Sequence, residues 1–483
     1  MPDLDDQVRN AGVRILRLCK DLSEFILSGQ ARKTYLYETE IFLKHIKKSL
    51  KAIDKFIRRS INKKMAPPLA KAKLKELDLI REVLSWLYTF VKEAIDADTL
   101  SIPYSLTIFL NHTATELQKP DKVSLVVLGS SDLMYYKYNL TRLRDLTKKL
   151  KKDVIQNYPV LPENIGILKF PYSSAQEALV NCILFHEMGH YIYEKTGLQR
   201  DFYNSINDNL RAFIQDNKII EKLKPKDPDL ACNKLFIYVG GLMLSWGDEM
   251  FADIFAIRVL GSAFHSACLE MEQILSTDIK RNKTFSRTHP ADDFRFKVHA
   301  KWLSDGGWDE IIKKRTPLIF DRLKDCETLR FKNKDFSISC EPPLGESDES
   351  KDLKEKLHTW MFKEFGQMVI RIEEELSTKL EDFENPINDF KKNDSLVTAC
   401  LEHGIVPSTV YNEKKERCHP RPTTILNSGF FFYLGGMVEL LKKVEVKRGV
   451  SRIDKRMNYE KRLNQWLAKA IEDWQILLEE GKL

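Results

Sequence analysis

Between Ser173 and Gly197 the chain sets His186-Glu187-Met188-Gly189-His190 into a segment that is otherwise rich in apolar residues, among them Val180, Ile183 and Leu184. The spacing predicts one helix over about 174–196, opened by a Ser174/Glu177 capping box and stopped at Gly197. At 3.6 residues per turn, positions four apart share a face, so the two imidazoles stand one turn apart on the same side. The apolar flanks call for burial of this helix, and buried imidazoles and carboxylates are costly unless something satisfies them. Two imidazoles so placed can both reach one Zn²⁺ at about 2.0–2.1 Å, with Glu187 beside the first as a base rather than a ligand. An H-E-x-x-H match arises by chance in about 1–2% of chains with this His and Glu content. The motif therefore needs a second signal.

That signal lies some sixty residues on. A catalytic zinc takes three protein ligands and keeps a fourth position open. The segment SWGDEMFADIFAIRVLG (245–261) predicts a second apolar helix, ending at Gly261, with Glu249 and Asp253 four apart on one face. Glu249 is the natural third ligand, and Asp253 a carboxylate to accept the free N–H of a ligand histidine. A solvated stripe of Asp248, Glu249 and Asp253 is the plain alternative, but Met250, Phe251, Ile254, Phe255 and Ile257 leave little of the helix wet. His265, on the next helix, is a weaker substitute ligand. Tyr191 and Tyr193 are candidates for a second electrophile, although tyrosines beside a ligand helix more often pack than react.

The order H-E-M-G-H, then E-M-F-A-D, then T-H-P-A-D-D-F-R (288–295) resembles the gluzincin metallopeptidases, and is most similar to the HtpX-type peptidases and their soluble relatives. The resemblance covers about 165–300. It implies a zincin-like core in which His186, His190 and Glu249 bind zinc and Glu187 is the general base. It places Asp253 as the acid one turn beyond the ligand glutamate. It implies that His289 stabilises an oxyanion near the metal and that Arg295 anchors the loop carrying it. The implied activity is hydrolysis of peptide bonds in a protein or peptide substrate. The membrane-bound members have spanning helices with no counterpart here, so their substrates do not carry over. A Lit-type phage-exclusion peptidase is similar only in the H-E-x-x-H motif. Large helical flanks and a cleft that must be gated inside a cell suggest a regulatory or phage-defence protease, a setting that rests on analogy.

The rest of the chain frames that core. With 483 residues, 43% hydrophobic and 10% aromatic, intrinsic disorder is excluded for the bulk of the sequence, and two or three domains are expected. Apolar residues at three- and four-residue steps predict a helical bundle over 1–97. A metallopeptidase core over 98–340 follows, then a linker at 341–352 (EPPLGESDESKD) and a helical region over 353–483. Strands are expected at Ser101–Asn111, Lys122–Gly129 and Ile165–Phe170, the last placed to hold an extended peptide by β-augmentation. The expected class is thus mainly α with a small β-sheet. No apolar run approaches the roughly 20 residues of a membrane span, and the polar, acidic N-terminus is no signal peptide. Eight singly scattered cysteines without a C-x-x-C pair suit a reducing interior. A cytoplasmic location is expected.

A formal charge of +7 is modest, but its distribution is uneven: twelve Lys/Arg residues lie between Lys44 and Lys75, and another group runs from Lys442 to Arg462. Such density can meet a regulatory partner, an acidic ligand, nucleic acid or a membrane surface, or simply line a solvated face. No helix-turn-helix, RNP, zinc-finger or P-loop pattern accompanies it, so nucleic-acid recognition is unsupported by motif. The second reading of the chain is accordingly a zinc-stabilised basic protein that binds nucleic acid or a partner without peptidase turnover. Cys418-His419, beside Pro420 and Pro422, reads as a loop rather than a second metal site.

Overall fold

Helices α1 (Leu4–Gln30), α2 (Tyr37–Ile61) and α3 (Pro67–Asp96) form where the periodicity places them, because each carries an apolar stripe that must be covered. Ile15, Leu22 and Ile26 are buried on α1, Phe42, Ile46, Ile53 and Ile57 on α2, and Leu77, Ile80, Leu84 and Val91 on α3. The prolines at 67 and 68 open α3, where a missing N–H is harmless. The computed structural model describes residues 3–62, 64–118, 123–132, 134–223, 225–275, 283–328, 336–344, 348–381, 383, 385–412, 414–437 and 451–483. It is mainly helical with small sheets, and divides into two units, Met1–Gln176 and Glu177–Leu483. The division falls inside the segment 98–340 that the sequence reads as one core.

The expected strand at Ser101–Asn111 is instead helical from Tyr104 on, as the start of α4 (Tyr104–Leu117). Its β-branched content misleads, because Thr107 and Thr113 satisfy their hydroxyls on the carbonyls of Pro103 and Phe109, four residues back, at 3.0 and 2.9 Å. Leu106, Leu110 and Ala114 then form a buried stripe. Asn111 on α4 holds both backbone groups of Leu125, at 2.8 and 3.0 Å, fixing the first strand against the helix.

Strands β1 (Ser124–Ser130) and β3 (Ile165–Pro171) lie close to their expected positions and pair in parallel, Ser124 with Ile165 through Ser130 with Pro171. Between them in sequence come β2 (Tyr136–Lys137) and helix α5 (Thr141–Asp153). The short β2 adds antiparallel to the other side of β3, giving the order β1-β3-β2. β3 is therefore the middle strand, which corrects its assignment as the strand that takes up a peptide, since augmentation needs a free edge. Both long strands are buried throughout, as parallel strands usually are. The Lys169 side chain on β3 is only 1% exposed, bonded to Glu93 of α3 and lying over the Tyr138 ring at 5.6 Å.

The second unit opens with a correction. The segment 174–196 is not one helix. A 3₁₀ turn spans Tyr172–Ser174, another spans Val180–Ile183, and only Leu184–Thr196 is α-helical (α6). Ser174 and Glu177 thus do not cap it. Tertiary packing wins locally, because the Leu179 amide is taken by Asn464 Oδ1 at 3.1 Å. Gly197 does end α6 as expected, in the left-handed conformation at φ 78°. Helices α7 (Leu198–Asp216) and α8 (Ile219–Leu223) follow, divided where Lys218 takes a positive φ. Next come α9 (Pro228–Leu260), α10 (Ser262–Leu275), α11 (Asp292–Asp305), α12 (Asp309–Arg315) and α13 (Pro317–Glu327). The last helices are α14 (Asp348–Lys379), α15 (Pro386–Glu402), α16 (Pro422–Phe431) and α17 (Arg452–Glu479), with Ser451 and Asp454 forming a capping box on α17.

Of the segment 341–352, residues 345–347 lie outside the described residues, and 348 onward already belongs to α14. Two ribbons complete the unit: β4 (Thr284–Phe285) with β5 (Ser337–Ile338), and β6 (Val410–Tyr411) with β7 (Arg417–Cys418). Phe285 of β4 sits among Trp246, Phe294, Phe336, Phe362 and Phe365, with ring centroids 4.8–5.9 Å away. That cluster fixes the start of the loop bearing His289, and Trp246 Nε1 donates to the Ser286 carbonyl at 2.8 Å. Among the described residues, no helix is long and apolar enough to cross a membrane. None of the eight cysteines, all among the described residues, is in a disulfide.

Candidate metal centre

The centre depends on how closely α6 and α9 approach. A Cβ on Gly189 would lie 2.6 Å from the Ala252 Cα, so the two backbones touch at that point and only glycine fits. Glu249, just under one turn before Ala252, then reaches the face carrying both histidines. His186 Nε2 and His190 Nε2 stand 3.1 Å apart. Glu249 Oε2 is 3.4 Å from the first and Oε1 is 3.5 Å from the second. Glu187 also brings a carboxylate oxygen within 4.8 Å of ring nitrogens of both histidines. His186, Glu187 and His190 are all buried.

Two carboxylates orient the rings from behind. Asp248 Oδ1 lies 2.7 Å from His190 Nδ1. Asp253 Oδ1 lies 2.8 Å from His186 Nδ1, close but without the alignment of a full hydrogen bond. A carboxylate at this distance keeps a hydrogen on each Nδ1, so that in the neutral ring Nε2 is the nitrogen able to bind a metal. The two Nε2 atoms face one another at 3.1 Å, with the Glu249 carboxylate beside them. Glu249 Oε2 has no hydrogen bond despite being buried. Buried together, these groups are satisfied by a positive charge held among them, whether a proton or a metal ion.

The electrostatics agree. Burial opposes the charged imidazole of His186, but Asp253 and Glu249 outweigh it and hold the ring up to about 10. Burial likewise opposes the ionised Glu249, yet the two histidines and Arg295 pull it down to about 2. Asp253, wholly buried, would be raised by desolvation, but Arg295 above all holds it well below the ordinary carboxylate range. Arg295 grips it in two parallel bonds, Nε to Oδ2 and a terminal nitrogen to Oδ1, each 2.7 Å. His299 Nε2 stands 3.2 Å from the same carboxylate.

The remaining sequence candidates are placed as follows. His289 is half-exposed, with Nε2 3.4 Å from Glu249 Oε1 and Nδ1 2.7 Å from the Thr288 hydroxyl. Arg295 clamps Asp253 rather than the His289 loop, whose turn is closed instead by Ser286. His265 faces His299 at 3.1 Å between Nδ1 atoms, behind the centre. Tyr193 packs on Phe251 at 5.1 Å, and Lys195 lies over the Tyr191 ring at 5.5 Å. Cys418 and His419 sit at the β6–β7 ribbon, where His419 Nδ1 is 3.3 Å from the Thr409 hydroxyl. Sequence reasoning missed Asp248 and His299. Asp248 neighbours Glu249 in sequence, and only the helix crossing shows that it turns toward His190.

Among the described residues, His186, Glu187 and His190 are the group able to hold a metal ion, and Glu249 adds a carboxylate at the same spacing. The donor set is nitrogen and oxygen, buried and already biased toward positive charge. Searches of protein-family models, curated proteins and solved structures found no match to this chain.

Proposed function

We propose that the chain is a zinc metallopeptidase of the gluzincin type with a zincin-like core, hydrolysing peptide bonds in a protein or peptide substrate. The observation that carries this reading is the pair of inward Nε2 atoms of His186 and His190, 3.1 Å apart, with Glu249 3.4–3.5 Å from each. Around a tetrahedral ion with bonds of about 2.0–2.1 Å, ligand atoms are separated by about 3.3–3.4 Å. The donor spacings fit that edge, and two imidazoles with one carboxylate suit zinc.

When bound, zinc would polarise a scissile carbonyl and lower the pKa of a water there towards ~7. The chain's residues then divide the remaining work. Asp248 and Asp253 hold the ring hydrogens on Nδ1, which keeps both Nε2 atoms inward. Arg295 fixes Asp253 and offsets its charge. Glu187, buried beside both histidines, takes the proton of the attacking water and passes it to the leaving amine. His289 is the half-exposed member, hydrogen-bonded to Thr288, and its Nε2 is on hand to stabilise the oxygen of the substrate carbonyl.

Glu187→Gln in the full chain tests this assignment. The variant should keep its fold and one equivalent of metal while losing cleavage of an unstructured protein such as casein, or of a peptide library, by at least ~10³-fold. Cleavage retained at the wild-type rate would overturn the peptidase reading.

A further inference from the structure

We propose that a recess between α1 and α2 is a second binding site, specific for a small polyphosphorylated molecule. It lies wholly within the first unit and does not depend on the peptidase reading. The recess has a volume of about 530 Å³, within the range of roughly 300–1,000 Å³ for small-molecule sites. Lys20, Lys44, Lys47, Lys48, Lys51 and Arg58 line it, against a single carboxylate, Asp54. Its floor is Leu50 and Cys19, both buried. Burial, with Asp54 second, pushes the Cys19 thiol up to about 12, so the floor adds no negative charge.

The cations are only partly neutralised. Arg58 bonds Asp54 at 2.8 Å, while Lys44 and Lys20 reach Glu40 and Glu24 only at 3.5 and 3.7 Å. Lys47 contacts the neutral Gln30 amide at 3.3 Å. Lys47, Lys48 and Lys51 have no carboxylate partner among the described residues. Yet Lys44 and Lys51 each stand three and four residues from Lys47 and Lys48 on one helix, an arrangement that repels. A bound polyanion relieves that repulsion, and lysine ammoniums are common phosphate partners.

The geometry favours a compact ligand over a nucleic-acid strand. From Lys44 to Lys51 the cationic stretch runs about 10 Å at 1.5 Å per residue, room for two or three linked phosphates. Along α2 Glu40 marks one end, Asp54 and its partner Arg58 lie inside the recess at the other, and Glu24 lies at the α1 margin. Glu40 and Glu24 would repel a phosphate backbone continuing past the recess at their end.

Titration calorimetry of the full chain with inorganic tripolyphosphate, at about 50 and 200 mM salt, tests the site. Binding is expected, weakening by about tenfold at the higher salt. The triple variant Lys47→Gln/Lys48→Gln/Lys51→Gln should lose at least ~20-fold in affinity with an unlowered melting midpoint, since like-charge repulsion is removed. Lys48→Gln alone should lose several-fold, which keeps the test valid if the triple variant unfolds. Lys149→Gln/Lys151→Gln/Lys152→Gln on α5 should change affinity less than ~2-fold. No binding up to about 1 mM at low salt, or equal losses in both triple variants, would overturn the proposal. So would a 20-base-pair duplex that binds these lysines and is not displaced by tripolyphosphate.

Discussion

Replacing Gly189 by alanine puts the packing account at risk in a measurable way. In an ordinary helix interior Gly→Ala is stabilising by about 1 kcal/mol. At Gly189 the new methyl would meet Ala252 Cα at 2.6 Å, and the Ala252 Cβ and carbonyl oxygen at 3.1 Å. These are helix backbone atoms and an alanine methyl, with no rotamer to move aside, so α6 and α9 must part by about 1 Å. Overpacking of this kind costs typically 1–3 kcal/mol, which outweighs the propensity gain and leaves a net loss of about 1–2 kcal/mol. The same displacement would stretch the His186–Glu249 separation of 3.4 Å towards 4.4 Å, too long for two ligands of one tetrahedral zinc. Metal affinity should fall by one to two orders of magnitude. Urea unfolding at constant m-value and chelator competition for zinc read the two effects. Gly241→Ala is the control, since that position on α9 is exposed and a Cβ there meets nothing within 4 Å. It should stabilise by about 0.5–1 kcal/mol and leave metal binding unchanged. If Gly189→Ala behaves like Gly241→Ala in both assays, the helix contact does not set the ligand geometry.

Three further outcomes follow from the geometry. Asp248→Asn should weaken zinc binding about 10–100-fold with little loss of stability, because Asp248 is partly exposed and acts through His190 Nδ1; Asp253→Asn should cost both, since it also removes the charge that Arg295 grips in two bonds. Glu93→Gln should destabilise by about 3–5 kcal/mol because the buried Lys169 loses its counter-charge, whereas Lys169→Met should be far milder since the Glu93 side chain, 27% exposed, can hydrate; comparable losses from the two variants in denaturant titrations would count against the asymmetry. Burial first, and Lys48 second, lower the half-buried His45 from 6.5 to about 4, so the unfolded chain takes up that proton before the folded one does. Stability from this group is full above pH 6.5 and is lost as pH falls towards 4, by about 2–3 kcal/mol, and His45→Gln should flatten that part of the pH–stability curve.

What could be read from the sequence was local in origin. His186 and His190 share a helix face because of their spacing, Gly197 ends that helix because it tolerates positive φ, and the stripes of α1–α3 are periodic in the chain itself. Strands β1 and β3 are legible as two runs of β-branched and aliphatic residues, but their parallel pairing is not. What stayed hidden depended on contacts between distant segments. Asp248 gains its place beside His190 only through the Gly189–Ala252 crossing. The loop bearing His289 is set by Phe285 among five aromatic rings from four other segments. The break before Leu184 reflects an amide captured by Asn464, and α4 looked like a strand because its threonines bond their own helix, which propensity does not register.

The most direct measurement is X-ray absorption spectroscopy on the full chain loaded with one equivalent of zinc. The proposal predicts a four-coordinate shell of nitrogen and oxygen at about 2.0–2.1 Å, with multiple scattering from at least two imidazoles and no sulfur at about 2.3 Å. His186→Ala and Glu249→Ala should each abolish that shell. A sulfur contribution, a single-imidazole signal, or an unchanged spectrum in Glu249→Ala would contradict it.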